Sequence, residues 1–331
     1  MISFGVKIWI LILSIQSGSS LGTIILYFNS YDNLKVSINE LVNQFSTLHN
    51  SLLYLNSIDK IEKEKIEEGN CEEIFNKNFK MIEFKNVYFK YPGCTEYILK
   101  NVSLKFERGK TYSIVGFNGS GKTTLIKLLL KLYKPSAGQI LIDGKDIQEF
   151  NRSEYYKHIS AIFQDFIKYP FDVYENIAIR NDGTHDNIKQ FWRVLNIVGI
   201  QELIKKMPNQ EHTMLMRDWT GGIDVSQGQW QKIAIARCMF ENSVISILDE
   251  PFSSIDAEAE NYIITQLREN RREKLTIFIT HRFSSISLAD QIIVMKEGKV
   301  VEQGIHEQLI QNHGIYYELY MSQIMKLKKE T

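Results

Sequence analysis

The sequence has no surplus of either charge: its 331 residues carry 39 Lys plus Arg against 39 Asp plus Glu, a formal net charge of zero. No bulk field is therefore available to hold nucleic acid, and no nucleic-acid partner is expected. Cysteine is scarce. Cys71, Cys94 and Cys238 are odd in number and widely separated, which fits neither a disulfide framework nor a paired metal site. They read as reduced thiols, with Cys238 a buried apolar residue of a helix. Internal repeats and low-complexity tracts are also missing.

An unbroken apolar run of about 20 residues, the length a membrane-spanning helix requires, is lacking as well. The front of the chain comes close. From Ile8 it reads I-W-I-L-I-L-S-I, breaks at Ser17-Gly18-Ser19-Ser20, and resumes as L-G-T-I-I-L-Y-F to Phe28. Leu34, Ile38, Leu41, Phe45, Leu48, Leu52 and Leu55 then follow in steps of four and three, one stripe of a long helix. The pattern predicts a transmembrane helix that enters near Ser20 and continues past the membrane surface. A buried soluble helix and a secretory signal are the rival readings. Lys7 and the small-residue cluster imitate a signal, but no Ala-x-Ala-like site follows the apolar run. Residues 59–70, D-K-I-E-K-E-K-I-E-E-G-N, read as a solvated helix end or linker, and a domain boundary is expected there.

Beyond the linker, short apolar runs bounded by Gly, Asn and Pro alternate with helical patterns. That predicts an α/β domain, a mixed sheet flanked by helices. Thr111–Val115 reads as a buried strand, Gly116-Phe117-Asn118-Gly119-Ser120-Gly121-Lys122-Thr123 as a loop, and Leu125–Leu132 as the following helix. This is a phosphate-binding loop in its required setting. Its glycines let successive N–H groups turn onto phosphate oxygens, aided by the helix N-terminus. Gly116, Asn118, Gly119, Ser120, Gly121, Lys122, Thr123 and Thr124 are the candidate ATP-binding residues. Lys122 would reach the β and γ phosphates and the Thr123 hydroxyl would bind Mg²⁺. Further on, the apolar strand Val244–Leu248 ends in Asp249-Glu250-Pro251. An acid at a strand end beside the loop is placed to hold Mg²⁺, which is Asp249. Glu250 is placed to polarise the attacking water.

Val225-Ser226-Gln227-Gly228-Gln229, with the helix from Trp230 to Arg237, resembles the signature motif of the ATP-binding cassette ATPases. The resemblance covers about residues 80–322, the P-loop NTPase cassette with its helical subdomain. It implies that Ser226, Gly228 and Gln229 close over ATP held by a second cassette, in a homo- or heterodimer. The family has Gly where this chain has Gln227 and Leu where it has Val225, which bears on turnover rather than on ATP binding. The resemblance further implies an adenine-stacking role for Tyr91, a Mg²⁺ and water contact for Gln164, an interface loop at Ser254 and Asp256, and a γ-phosphate switch at His281. It places a helical subdomain between Phe166 and Asp224.

Gln164–Pro170 and Tyr174–Ile177 are similar to the cassettes of bacterial lantibiotic and peptide exporters. On that footing residues 1–58 are expected to be a remnant of an exporter membrane domain, its last one to two helices. Residues 59–78 follow as a charged linker, 79–322 as the ATP-binding domain and 323–331 as a basic tail. The expected setting is the cytoplasmic membrane with the ATPase in the cytoplasm, a peptide cargo, and partner membrane helices largely missing from the chain. A soluble cassette of translation or chromosome maintenance would carry two cassettes or a coiled-coil insertion. A P-loop small-molecule kinase would not need the signature or His281. An ATP-binding remnant without turnover remains the alternative.

Overall fold

The structure, a computed structural model, describes residues 2–18, 20–63, 73–179, 186–217, 221–241, 243–269, 273–280, 282, 286 and 289–330. The chain divides into two units, Met1–Glu68 and Gly69–Thr331.

In the first unit, helix α1 (Ile2–Gln16) and helix α2 (Leu21–Lys63) are separated by a turn in which Gly18 has φ +66°. Lys7 of α1 pairs with Asp32 of α2 at 2.6 Å. Helix α2 begins where the pattern predicts and extends into the stretch expected as linker. The expected transmembrane helix, however, is not found: among the described residues no helix is long and apolar enough to cross a membrane. At about 1.5 Å per residue α1 falls short of a hydrocarbon core of about 30 Å. The apolar start of α2 gives way after about two turns to Asn29, Asp32, Asn33 and Lys35. The stripe from Leu34 to Leu55 is exposed, each residue by half or more.

The second unit is built on two sheets. Strands β1 (Met81–Phe89) and β2 (Leu99–Glu107) form a hairpin of nine-residue strands. Strand β3 (Thr111–Gly116) leads into helix α3 (Lys122–Leu129), followed by β4 (Ala137–Ile142) and β5 (Lys145–Asp146). Helix α4 (Arg152–Lys157) precedes β6 (Ile159–Ile162). Helices α5 (Val173–Ile177), α6 (Asp186–Ile197) and α7 (Gln201–Lys205) fill the segment expected as helical subdomain and lead to α8 (Gln227–Phe240). Then come β7 (Ile245–Asp249), α9 (Ala257–Glu269), β8 (Leu275–Ile279), β9 (Gln291–Lys296), β10 (Lys299–Gly304), α10 (His306–Gln311) and α11 (Ile315–Glu330).

The smaller sheet is antiparallel, in the order β2-β1-β4-β5. The larger runs β10-β9-β3-β8-β7-β6, parallel except for the β9–β10 pair. Strands β3, β7 and β8 are buried at every position, which explains their continuous apolar reading in place of an alternating one. Phe84, Phe106, Tyr112, Leu125 and Ile277 share one core. Val173, Phe191, Ile204, Trp230 and Ile233 form a second, around α5–α8.

Because β3 lies between β8 and β9, its C-terminal end opens where the chain departs from the sheet, the position at which open parallel sheets bind ligands. Helix α3 starts three residues earlier than Leu125, at Lys122, and ends at Leu129. Gly121 at φ +99° opens it, and Lys131 at φ +53° turns the chain away.

Candidate nucleotide site

Strand β3 delivers Gly116 against the edge of β9, where a Cβ would stand 2.2 Å from the Met295 carbonyl oxygen. Only glycine fits so close an approach. The loop that follows folds over the Lys122 side chain, whose ammonium donates to the carbonyls of Gly116 at 2.9 Å and Phe117 at 3.1 Å. Burial pushes this ammonium below the usual lysine range, while the charges of Glu250 and Asp249 act the other way.

Thr123, one residue on, donates its hydroxyl to Asp249 Oδ2 at 2.9 Å. Asp249 closes β7 and is 3% exposed. Burial raises its carboxyl above the ordinary range and the Thr123 hydrogen bond opposes that rise. Glu250 follows with φ +49°, a left-handed backbone at a residue other than glycine, and its N–H donates to the Ile279 carbonyl at 2.8 Å. A strained conformation at a strand end of this kind has to be held by its surroundings.

A cavity of about 510 Å³ lies over the loop, lined by Tyr91, Ile98, Asn118, Gly119, Ser120, Gly121, Lys122, Thr123, Thr124, Gln164 and Glu250. The residues expected from the phosphate loop, the adenine contact, the glutamine loop and the water-orienting carboxylate thus meet in one place. Gly116 lies at the base of the loop. The Tyr91 hydroxyl pairs with Thr124 Oγ1 at 3.1 Å, and its ring packs edge-on against Phe89 and Tyr133. Ile98 was not foreseen; its only mark in the sequence is an apolar side chain just ahead of β2.

The donor set suits a polyphosphate. Among the described residues, the Ser120 hydroxyl, buried in the loop, has no hydrogen-bond partner, and the Lys122 ammonium donates to carbonyls of the loop itself. For a cation, Thr123, Asp249 and Gln164 offer oxygen donors of the kind that magnesium takes. His281 lies outside the described residues, as does Cys71. Cys94 is exposed and Cys238 buried, both free; burial pushes the Cys238 thiol up to about 11, which keeps it protonated and inert.

Ser226, Gly228 and Gln229 do not line this cavity. Ser226 caps α8 in a reciprocal capping box with Gln229: the hydroxyl accepts from Gln229 N–H at 3.3 Å, and the Gln229 side chain accepts from Ser226 N–H at 2.8 Å. Gly228 packs against the turn after Glu250, where a Cβ would stand 2.9 Å from the Ser254 carbonyl oxygen. The departing residue, Gln227, points elsewhere and accepts from Lys168 Nζ at 2.8 Å. Asp256 caps α9 by accepting from Ala259 N–H, which holds its carboxyl below the usual range.

Strand, glycine loop and helix, with an acid at the end of β7, one strand removed from β3 in the same sheet, define a P-loop nucleotide-binding cassette. Residues 99–253 match the family described as "ABC transporter". The chain is 35% identical to the subtilin transport ATP-binding protein SpaT of Bacillus subtilis, over 95% of this chain and 52% of that one. It is 32% identical to the nisin transport ATP-binding protein NisT of Lactococcus lactis subsp. lactis, over 96% and 53%. Among solved structures, a bacterial Atm1-family ABC exporter with ATP bound matches at a TM-score of 0.74 and 28% identity, over 92% of this chain and 53% of that one. Residues 99–253 thus form a domain of the ABC transporter family. The chain spans about half the length of these relatives.

Proposed function

We propose that this chain binds and hydrolyses ATP as the nucleotide-binding cassette of an exporter at the cytoplasmic membrane, with its ATPase on the cytoplasmic side. The observation that carries the reading is the single cavity lined by Lys122, Thr123, Gln164 and Glu250, with Asp249 joined to it through Thr123. Similarity to transport proteins for subtilin and nisin supports a peptide of the lantibiotic type as cargo.

In this reading Lys122 turns from the loop carbonyls to phosphate oxygens, and the Ser120 hydroxyl and the N–H groups of Asn118–Thr124 complete the cradle. Tyr91 stacks on the adenine, with Ile98 beside it. Thr123, Asp249 and Gln164 would hold Mg²⁺, which would supply positive charge against the negative charge that develops in phosphoryl transfer. Glu250 orients the attacking water and takes its proton, and His281 steadies the γ phosphate. Ser226, Gly228 and Gln229 serve the nucleotide of a second cassette, from which a head-to-tail dimer follows.

ATP turnover measured against protein concentration tests this, beside Glu250→Gln. The expected result is turnover that rises faster than linearly with protein and is lost in the variant. Nucleotide binding without turnover in the wild type would instead support the second reading, a non-catalytic cassette, which Gln227 in the signature motif motivates.

A further inference from the structure

Gln231 has no part in the nucleotide contacts assigned above, yet it is a polar side chain only 3% exposed. It stands one turn along α8 from Gly228, on the same helix face, against the turn that follows Glu250. Its Oε1 accepts from Ser254 N–H at 2.8 Å. Its Nε2 donates to Ser253 Oγ at 2.9 Å and reaches the Glu250 carbonyl oxygen at 3.5 Å. The orientation of the amide follows from the partners: Ser254 N–H can only donate, so the oxygen faces it and the nitrogen faces Ser253 and Glu250.

The turn it holds begins with a strained residue. Glu250 has φ +49° and is fixed on one side by its N–H bond to Ile279 at the end of β8. On its other side the backbone of residues 250–254 rests on Gln231 and, at Ser254, on Gly228. A left-handed residue relaxes unless the structure around it over-determines the conformation. Here a second anchor comes from the helix whose N-terminus carries the signature motif.

We propose that Gln231 is a positioning residue for hydrolysis: it holds the 250–254 turn in the conformation that aims the Glu250 carboxylate, and so ties that carboxylate to the signature helix of its own cassette. The proposal rests on the reading of Glu250 as the water-orienting group. Gln231 does not line the nucleotide cavity. Its effect belongs to kcat, with nucleotide affinity left alone, because the phosphate loop and Tyr91 do not depend on it.

The test compares the full wild-type chain with Gln231→Met, which keeps the volume and removes every hydrogen bond, and Gln231→Glu, which keeps the acceptor for Ser254 N–H and loses the donor. Glu250→Gln is run alongside. ATP turnover and nucleotide binding are measured, together with backbone amide exchange across residues 250–256. Expected are a kcat at least tenfold lower for Gln231→Met, with KM and nucleotide Kd within twofold of wild type, and exchange accelerated in that turn but not in β3 or α3. Gln231→Glu falls between the two. A kcat within twofold of wild type, a parallel loss of kcat and affinity, or unchanged exchange at 250–256 would each overturn the proposal. Turnover that survives Glu250→Gln overturns the underlying reading of Glu250 and the positioning role with it. If the wild type binds nucleotide without turnover, that reading also fails, and the exchange measurement alone decides whether Gln231 holds the turn.

Discussion

Individual residues divide into those whose chemistry is written in adjacent sequence and those whose role depends on distant neighbours. Lys122, Thr123 and the glycines of the loop were legible because strand, loop and helix are consecutive, and local backbone rules suffice to place them. Ile98 and Gln231 were not, because each acquires its neighbours only through tertiary packing. Gly228 shows the difference in energetic terms. A methyl group there meets backbone at Ser254, which cannot swing aside as a side chain would. Gly228→Ala is expected to cost about 1–3 kcal/mol, read as a lower urea midpoint with an unchanged slope. At the surface, His212 Nδ1 lies 3.0 Å from Asp172 Oδ2, and this hydrogen bond raises the imidazole above its ordinary 6.5. A raised histidine contributes stability below 6.5 and loses it as pH climbs through the folded value. His212→Asn should therefore lower the melting temperature near pH 5.5 and match wild type near pH 9. The imidazole is largely exposed, so the effect is at most about 0.5 kcal/mol, and 1 M salt should shrink it.

Elements are legible where their periodicity is strong and unreadable where pairing is long-range. Parallel strands β3 and β7 announced themselves as apolar runs, and α2 by its stripe. Nothing in the spacing separates the strands into two sheets, because that division depends on which edges meet across many residues. The loop between β7 and α9 depends on the same kind of contact. Arg282 donates to the Ile255 carbonyl at 2.7 Å, to the Ser253 carbonyl at 3.2 Å and to Glu260 of α9 at 2.7 Å. Glu260 is fully buried, and burial raises its carboxyl while Arg282 opposes the rise. The Arg282 side chain is itself 38% exposed, so Arg282→Ala, which leaves the buried carboxylate without its charge partner, should destabilise by about 1–3 kcal/mol. Adding Glu260→Gln should recover part of the loss in urea unfolding, the mark of coupled residues.

On the scale of the whole molecule, α2 presents apolar side chains from Leu34 to Leu55 to solvent, more than isolated surface residues require. Sedimentation velocity without detergent should show the full chain self-associating, and a fragment of residues 73–331 monodisperse in the absence of nucleotide. The larger sheet adds a consequence for synthesis. The N–H of Thr111, at the start of β3, is accepted by the Asp290 side chain 179 residues later, and Gly116 is walled by Met295 of β9. The phosphate loop leaves the ribosome early, but the strand that closes its far side is made among the last. Contacts of such sequence separation form slowly. A nascent chain arrested ahead of β9 would display every residue of the loop and still not be retained on immobilised ATP; retention should begin only once residues 291–296 have emerged.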